Sequence, residues 1–382
     1  MSLMSMATHL FMLFVCIELA SLSSYILVAF HKESKVGGEA GMKYFIVGSV
    51  ASAVGIYGMS LLYLWSGDLS LDALAIKWSE SSSIDPLAGI AVGLMLVAFG
   101  FKVGAAPFHL AAPDAYSGAS SPVAGLLATA SKAMGFVALM RILVSVTMPT
   151  EGEAFWYITI AVIAVVTMTW GNLAALTSTN PKRMLAYSSV SHAGYMLAGL
   201  AAIGSGLGSE EAIELVLTAI VFHLAVLVIF KFGAFLVLSL LETEERGHKL
   251  EDLHGLARRE PIVAGSMFLF MLSLAGVPPL SGFLSKFLMI NGIVNISAGT
   301  GASDATSVLD WLSSVEPVFW LAFAIVINSA LSMFYYLRIG LVMFFEEPED
   351  SKSIKDAFSL RLAIAICAIL TVIVGIGPLS DS

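Results

Sequence analysis

Charged residues are scarce in this chain. Asp, Glu, Lys and Arg make up only 12% of its 382 residues, whereas hydrophobic residues make up 58%. Soluble domains carry about 25% charged residues, so this composition excludes an ordinary soluble protein. Because the deficit extends along the whole sequence, it predicts an all-α polytopic membrane protein.

Cysteine is nearly absent as well. Cys16 and Cys367 both fall in apolar segments and show no metal-ligand spacing, which excludes a disulfide framework or a cysteine metal site. No glycine-rich phosphate loop, nucleophile triad or haem motif is present. We therefore expect no cofactor and no metal in this chain, and no nucleic acid among its partners.

Long apolar segments fill most of the sequence. A spanning helix needs roughly 20 predominantly apolar residues. By this measure we predict about ten transmembrane helices, at about 7–30, 42–66, 86–110, 121–146, 155–177, 183–203, 211–241, 262–295, 317–345 and 359–379.

The connections between these segments alternate in charge. The basic ones carry Lys32, Lys35, Lys182, Arg183, Arg258, Arg259, Lys352 and Lys355. The acidic ones carry Asp68, Asp72, Glu151, Glu153, Glu210, Glu211, Asp304 and Asp310. The positive-inside rule puts the basic side in the cytoplasm, and ten spans then put both termini outside.

Five ionisable residues nevertheless lie inside the predicted spans: Glu18, Lys102, Lys132, Lys231 and Lys286. Each costs roughly 2.5–3.5 kcal/mol at bilayer depth on insertion scales, and such groups usually face a bundle interior or water and mark a route for ions or protons. A passive membrane anchor would not need five ionisable residues at this depth. We therefore predict a transport path built on these residues.

Two spans should be broken near their lysines. Glycine and proline surround Lys102 in the segment 100–109, and they recur before Lys286 in the segment 275–287. Proline removes a backbone N–H and clashes with the preceding turn, so each helix should unwind there. Corresponding interrupted helices in two halves of a chain indicate an ion site in inverted-repeat transporters.

Three further residues are candidates for the same path. His223 precedes Lys231 by about two helical turns, so both can face one polar track, although a hydrogen-bonded core histidine is an alternative. His192 lies four residues after Ser188 and could instead bond only to backbone or hydroxyl groups. Lys43 lies near the basic end of its span, where interfacial anchoring is the rival interpretation.

Several motifs identify a family. The sequence reads FK at 101–102, PFH at 107–109, APDAY at 112–116, KRMLAYSSVSHAGY at 182–195 and LSLAGVPP at 272–279. These motifs resemble those of the antiporter-like membrane subunits of respiratory complex I (NADH-quinone oxidoreductase), and the match covers nearly the whole chain. The lysine at 286, ATASK at 128–132 and EAGMKYF at 39–45 resemble subunit N, whereas FH at 222–223 and FKF at 230–232 resemble subunits L and M.

The resemblance implies an antiporter-like inverted-repeat bundle in the bacterial cytoplasmic (inner) membrane. Residues 1–382 would form one membrane domain, with a first repeat at about 1–150, a second inverted repeat at about 155–345 and a terminal helix at 359–379. Subunit N normally has fourteen spans, and Glu18 belongs to the fifth. The chain is therefore expected to lack the first four helices of that family.

The resemblance also implies a mechanism. Glu18 and Lys102 would form a switch pair at the first break, Lys132 would hold the transferable proton, Lys231 and His223 would carry it on, and Lys286 would gate its exit. Proton movement would be coupled to a quinone bound elsewhere in the complex, with other membrane-arm subunits as partners. A subunit of a cation/proton antiporter complex and a degenerate scaffold subunit remain alternative functions.

Overall fold

The structure is a computed structural model that describes residues 2–31, 33–81, 84–149, 152–298, 316–348, 354 and 357–376. Its elements are helical, apart from an isolated bridge between His9 and Ser70. The helices are α1 Ser2–Ser5, α2 Leu10–Val28, α3 Lys35–Ser66, α4 Leu71–Glu80, α5 Pro86–Val103, α6 Ala112–Gly118, α7 Ser121–Leu126, α8 Lys132–Leu143, α9 Tyr157–Thr177, α10 Pro181–Gly204, α11 Glu210–Glu242, α12 Leu256–Arg259, α13 Pro261–Ala275, α14 Ser281–Ala298, α15 Phe319–Phe345 and α16 Phe358–Ile376.

Helix starts follow ordinary capping chemistry. Ser34, Asp85, Asn180 and Ser209 each accept a hydrogen bond from a first-turn backbone N–H of the helix that follows. Such caps satisfy donors that would otherwise lack partners at a helix start. The polar residues between the apolar runs therefore fix where α3, α5, α10 and α11 begin.

All ten predicted spans correspond to helical segments in the described part of the chain. Eight helical segments there are long and apolar enough to cross a membrane. The predicted span at 262–295 is instead divided into α13 and α14, as its proline pair indicated. The predicted span at 183–203 corresponds to α10, which is long enough but too polar to meet the same hydropathy standard.

Helix α10 is polar because it lies at the centre of the bundle. Every residue from Ser188 to Gly204 on this helix is buried, including His192. It packs most extensively against α9 and also contacts α6, α11, α14 and α15. A helix surrounded by other helices does not face lipid, so its polar side chains can be satisfied by neighbouring helices.

The connections sort to two ends of the bundle as their charges predict. At the basic end, Arg183 pairs with Asp114 at 3.1 Å, and Lys182 pairs with Glu242 at 2.7 Å. At the opposite end, Trp78 stacks on Phe155 with ring centroids 5.5 Å apart. Contacts within each end join connections that are remote in sequence, which supports the predicted alternation of the spans.

Some predicted features differ from the structure or fall outside it. Helix α4 is a short helix in the connection between the second and third spans and was not predicted. The predicted span at 121–146 ends earlier, at Leu143. Residues 377–379 of the predicted terminal span lie outside the described residues, and so do Lys32, Glu151, Asp304, Asp310, Lys352 and Lys355.

Both predicted helix breaks are present. Gly104 caps the end of α5 with φ +73°, and Gly276 caps the end of α13 with φ +87°. Backbone with such positive φ is open to glycine and costly for other residues. After each glycine the chain passes through a proline-containing turn before it becomes helical again, at Phe108 and at Ser281.

Candidate functional site

Lys102 lies in the last turn of α5, directly before the first break. Its ammonium group donates a hydrogen bond to the Ser21 hydroxyl on α2. It also lies 5.6 Å from the ring centroid of Tyr25, a distance at which a cation is attracted to an aromatic face. The first break therefore presents a half-buried lysine to polar and aromatic groups of α2.

The predicted pairing of Glu18 with Lys102 stays a prediction. Within the described residues, this structure shows no nitrogen–oxygen contact of 4.0 Å or less between the two side chains. Ser21 lies one helical turn after Glu18 on the same face of α2 and accepts a hydrogen bond from Lys102.

We expect Glu18→Gln to slow proton translocation, and Glu18→Asp to slow it less. The carboxylate supplies the charge that favours protonated Lys102, and an opposite charge nearby favours the charged form. Glutamine cannot supply that charge, whereas aspartate retains it at a slightly greater distance. Translocation rates in membrane vesicles, normalised to assembled complex, measure the effect, and a Gln variant as fast as the unmodified protein would refute the role.

Lys132 is buried, with only 3% of its surface exposed. It begins α8 directly after a π-helical turn at Leu127–Ser131, and such turns are rare and often lie at functional sites. Its ammonium group donates to the backbone carbonyl of Ser189 on α10. Lys132 also reaches the first break, because a Cβ atom added to Gly104 would lie 3.6 Å from Lys132 Nζ.

Lys286 occupies the matching place at the second break. Its ammonium group donates to the carbonyls of Leu274 and Ala275, at 2.9 and 3.1 Å. These carbonyls belong to the last turn of α13, where the helix leaves acceptors unpaired and partial negative charge accumulates. A Cβ atom added to Gly276 would lie 3.3 Å from Lys286 Nζ, so each break has one buried lysine against its left-handed glycine.

A row of hydrogen bonds joins α15, α10, α11 and α14 between these lysines. His192 Nε2 lies 3.3 Å from the Tyr336 hydroxyl, and His192 Nδ1 lies 3.0 Å from His223 Nε2. His223 Nδ1 lies 2.9 Å from the Ser285 hydroxyl. Both histidines are buried, and each has a side-chain partner on both ring nitrogens. His192 therefore bonds to another imidazole as well as to a hydroxyl, whereas the alternative considered for it was bonding to backbone or hydroxyl groups only.

Lys231 lies two turns beyond His223 on α11 and is completely buried. Its ammonium nitrogen has no hydrogen-bond partner among the described residues. Because burying a charge without a partner is very unfavourable, this position suits a lysine that is neutral for part of its cycle or that is bonded to water.

Lys43 pairs with carboxylates rather than with the groups of this row, and its part in the path stays a prediction. It lies at the basic end of α3, half-exposed, and pairs with Glu39 at 2.6 Å and Asp114 at 3.3 Å. Asp114 also pairs with Arg183, at 3.1 Å, so it joins α3 and α10 to the segment that follows the first break. In that segment the buried Nδ1 of His109 has no hydrogen-bond partner among the described residues.

Sequence reasoning missed the neutral members of the site. Ser21, Ser285 and Tyr336 touch the ionisable side chains directly, and the Ser189 backbone accepts from Lys132. A signal was present, since hydroxyl side chains inside apolar helices at bilayer depth usually seek polar partners. The presence of these hydroxyl groups in the sequence does not show which charged group each of them contacts.

The site brings together groups that can exchange protons. Buried amines lie at both breaks and two buried imidazoles are hydrogen-bonded to each other, and each of these groups can take up and release a proton at suitable pKa. In the described part of the chain no group of three His, Cys, Asp or Glu residues is placed to hold a metal ion.

Comparison with known proteins gives consistent matches. A family described as NADH:quinone oxidoreductase/Mrp antiporter, transmembrane region, matches residues 7–309. NADH-quinone oxidoreductase subunit N of Heliobacterium modesticaldum is 38% identical over 385 residues, which cover 100% of this chain and 74% of the relative. Subunit N 2 of Acidobacterium capsulatum is 36% identical over 378 residues, covering 97% of this chain and 71% of the relative.

Solved structures show the same architecture. A chain of respiratory complex I from Thermus thermophilus with bound aureothin superposes with a TM-score of 0.76 at 33% identity, covering 98% of this chain and 75% of that one. A chain of the Mrp complex from Dietzia sp. DQ12-45-1b superposes with a TM-score of 0.80 at 25% identity, covering 98% and 72%.

Proposed function

Because this chain belongs to the NADH:quinone oxidoreductase/Mrp antiporter transmembrane family, we propose that it is the N-type proton-translocating subunit of the membrane arm of an NADH-quinone oxidoreductase. Its relatives are bacterial and carry the name subunit N. The chain then works in the bacterial cytoplasmic membrane, surrounded by lipid and by the other membrane-arm subunits of complex I.

One observation carries the proposal: buried amines stand at both helix breaks with a hydrogen-bonded histidine pair between them. Lys132 and Lys286 each contact backbone carbonyls rather than carboxylates, so neither is locked into a permanent ion pair. A lysine without a fixed counter-charge shifts its protonation readily when a neighbouring charge changes. Translocation needs that property, and a purely structural lysine does not.

We assign the roles in the order of the path. Glu18 and Lys102 respond to charge changes at the first break, and Lys132 holds the proton at the centre. Lys231, with His223 and His192, passes it across the bundle, and Lys286 releases it or passes its charge state to a neighbouring subunit. Lys43 lies at the interface, and its role in the path is to contribute a positive charge at the basic end of the bundle.

The redox chemistry belongs elsewhere in this proposal. The chain carries buried acids and bases for proton transfer, so NADH oxidation and quinone reduction are assigned to other subunits, and the chain is a subunit of a translocase rather than a complete enzyme. We also propose that 1–150 and 155–345 are two inverted repeats, because each holds one break and one lysine against its glycine.

The proposal is tested by NADH-driven proton uptake into vesicles carrying the assembled complex with Lys286→Ala. We expect translocation per NADH oxidised to fall strongly, because the amine at the second break is lost. Lys77→Ala is the matched control, since Lys77 is an exposed lysine on α4 and its loss should change nothing. Unchanged translocation in an assembled Lys286→Ala complex would favour a scaffold subunit.

A cation/proton antiporter subunit is the second candidate, and the superposition on the Mrp complex favours it. The same vesicles distinguish the two functions when a sodium gradient is imposed without NADH. Proton movement that follows sodium alone and is lost in Lys286→Ala would establish antiport. Movement that requires NADH oxidation supports the complex I assignment.

A further inference from the structure

Ser285 is the residue that connects the histidine pair to the second broken helix. It lies in the first turns of α14, one residue before Lys286, and is completely buried. Its hydroxyl lies 3.1 Å from the Gly282 carbonyl and 2.9 Å from His223 Nδ1. A serine hydroxyl has one proton to donate and two lone pairs that accept, so it can donate to only one of these two partners at a time.

The Gly282 carbonyl decides the direction. A carbonyl oxygen only accepts, so the direction of the row is set in the state in which the Ser285 hydroxyl donates its single proton to Gly282. The hydroxyl oxygen must then accept from His223, which requires a proton on His223 Nδ1. In a neutral imidazole one nitrogen donates and the other accepts, so His223 Nε2 is an acceptor.

The same reasoning propagates along the row. Because His223 Nε2 accepts, His192 Nδ1 must donate across the 3.0 Å between them. His192 Nε2 then accepts from the Tyr336 hydroxyl at 3.3 Å. Every bond of the row is satisfied with one direction, from Tyr336 through both histidines to Ser285 and the Gly282 carbonyl.

We propose that Ser285 is a positioning residue that sets both His192 and His223 as the Nδ1–H tautomer and so fixes the direction of proton transfer through the pair. The inference rests on the proposed proton path and deepens it. In this state a proton arriving at His192 Nε2 displaces the Nδ1 proton toward His223 Nε2. His223 in turn passes its own Nδ1 proton to the Ser285 oxygen while the Ser285 hydroxyl gives its proton to a water molecule, so one proton enters and one leaves.

The row must then be reset. After one transfer both histidines carry their proton on Nε2, and the Ser285 hydroxyl, which now holds the proton that came from His223 and has given its former one to water, can donate to His223 Nδ1. Rotation of that hydroxyl back toward Gly282, together with turning of the rings, restores the first state. Without the hydroxyl, no group on α14 distinguishes the two tautomers of His223.

The test is ring nitrogen-15 NMR of the assembled complex labelled at histidine, with the His192 and His223 signals assigned by their loss in His192→Gln and His223→Gln. In the unmodified complex both residues should show a protonated Nδ1. In Ser285→Ala the ratio of tautomers should shift by about fivefold, which corresponds to the net free energy of one typical neutral hydrogen bond. Ser285→Thr retains the hydroxyl and should restore both the signals and translocation.

Ser266→Ala is the matched control, because Ser266 is a buried serine on α13 whose hydroxyl donates to the Ile262 carbonyl of its own helix. If Ser285→Ala prevents assembly, Ser285→Cys keeps a group of similar size with much weaker hydrogen bonding and should give the same shift. Unchanged tautomers would overturn the inference even if translocation fell. Shifted tautomers with full translocation would overturn the positioning role, and the Lys286→Ala result would still judge the path itself.

Discussion

A complex that carries Lys102→Ala should assemble normally and lose most of its proton translocation. Lys102 lies at the end of α5, where its ammonium contacts Ser21 and the Tyr25 ring. Translocation should fall by roughly 100-fold, the low end of what a positioned proton-transfer group contributes. The switch partner of Glu18 is then absent, so replacing Glu18 as well should have little further effect in this background.

Assembly should survive because Ser21, the partner of Lys102, keeps the hydrogen bond that it donates within its own helix. The Ser21 hydroxyl also bonds to the Ile17 carbonyl of its own helix, at 2.6 Å. Removing the lysine therefore leaves no buried hydroxyl without a partner, which is the costly outcome of deleting one side of a buried contact. Subunit content by native gel and proton uptake in vesicles give the two measurements, with Lys77→Ala as control. Normal translocation in the assembled variant would exclude Lys102 from the path.

Most of the fold follows from local sequence patterns. The length of the apolar runs located the ten predicted spans, and glycine together with proline located both helix breaks. Both signals can be recognised in the sequence because each acts within a single helix. Helix α10 is too polar to be recognised as a span by its hydropathy. Hydropathy measures compatibility with lipid, whereas α10 is enclosed by other helices. Helix α4 escaped prediction because it is too short and too polar for a span.

The site was only partly predictable. Lys102, Lys132, Lys231 and Lys286 were found because a charge inside an apolar helix is visible in one dimension. Their partners depend on how neighbouring helices are rotated about their axes. Rotation decides that Ser21 rather than Glu18 meets Lys102, and that His192 meets His223. Spacing along one helix carries no such information.

The Lys132 position makes the sharpest test of proton transfer, because Lys132→Arg should fail almost as completely as Lys132→Ala. Arginine retains the positive charge but is effectively never deprotonated in proteins. If Lys132 must release a proton in each cycle, a permanent charge stops translocation as surely as no charge. We expect a loss of roughly 100-fold or more in both variants, in line with removal of a positioned proton-transfer group.

The surroundings of Lys132 strengthen that expectation. The side chain is 3% exposed, bonds to one backbone carbonyl at Ser189 and faces the bare backbone of Gly104. A guanidinium group brings five N–H donors, which exceed the acceptors that contact Lys132. Lys132→Met, which fills similar space without charge, separates misfit from loss of the proton: it should assemble and remain inactive.

Proton uptake per NADH oxidised, with subunit content measured on the same vesicles, distinguishes the possible roles of Lys132. A fixed structural charge predicts full translocation in Lys132→Arg and loss in Lys132→Met. A proton carrier predicts loss in both, because neither side chain can alternate between charged and neutral forms. Full recovery with arginine would therefore contradict the carrier role and leave Lys132 as a static charge beside the first break.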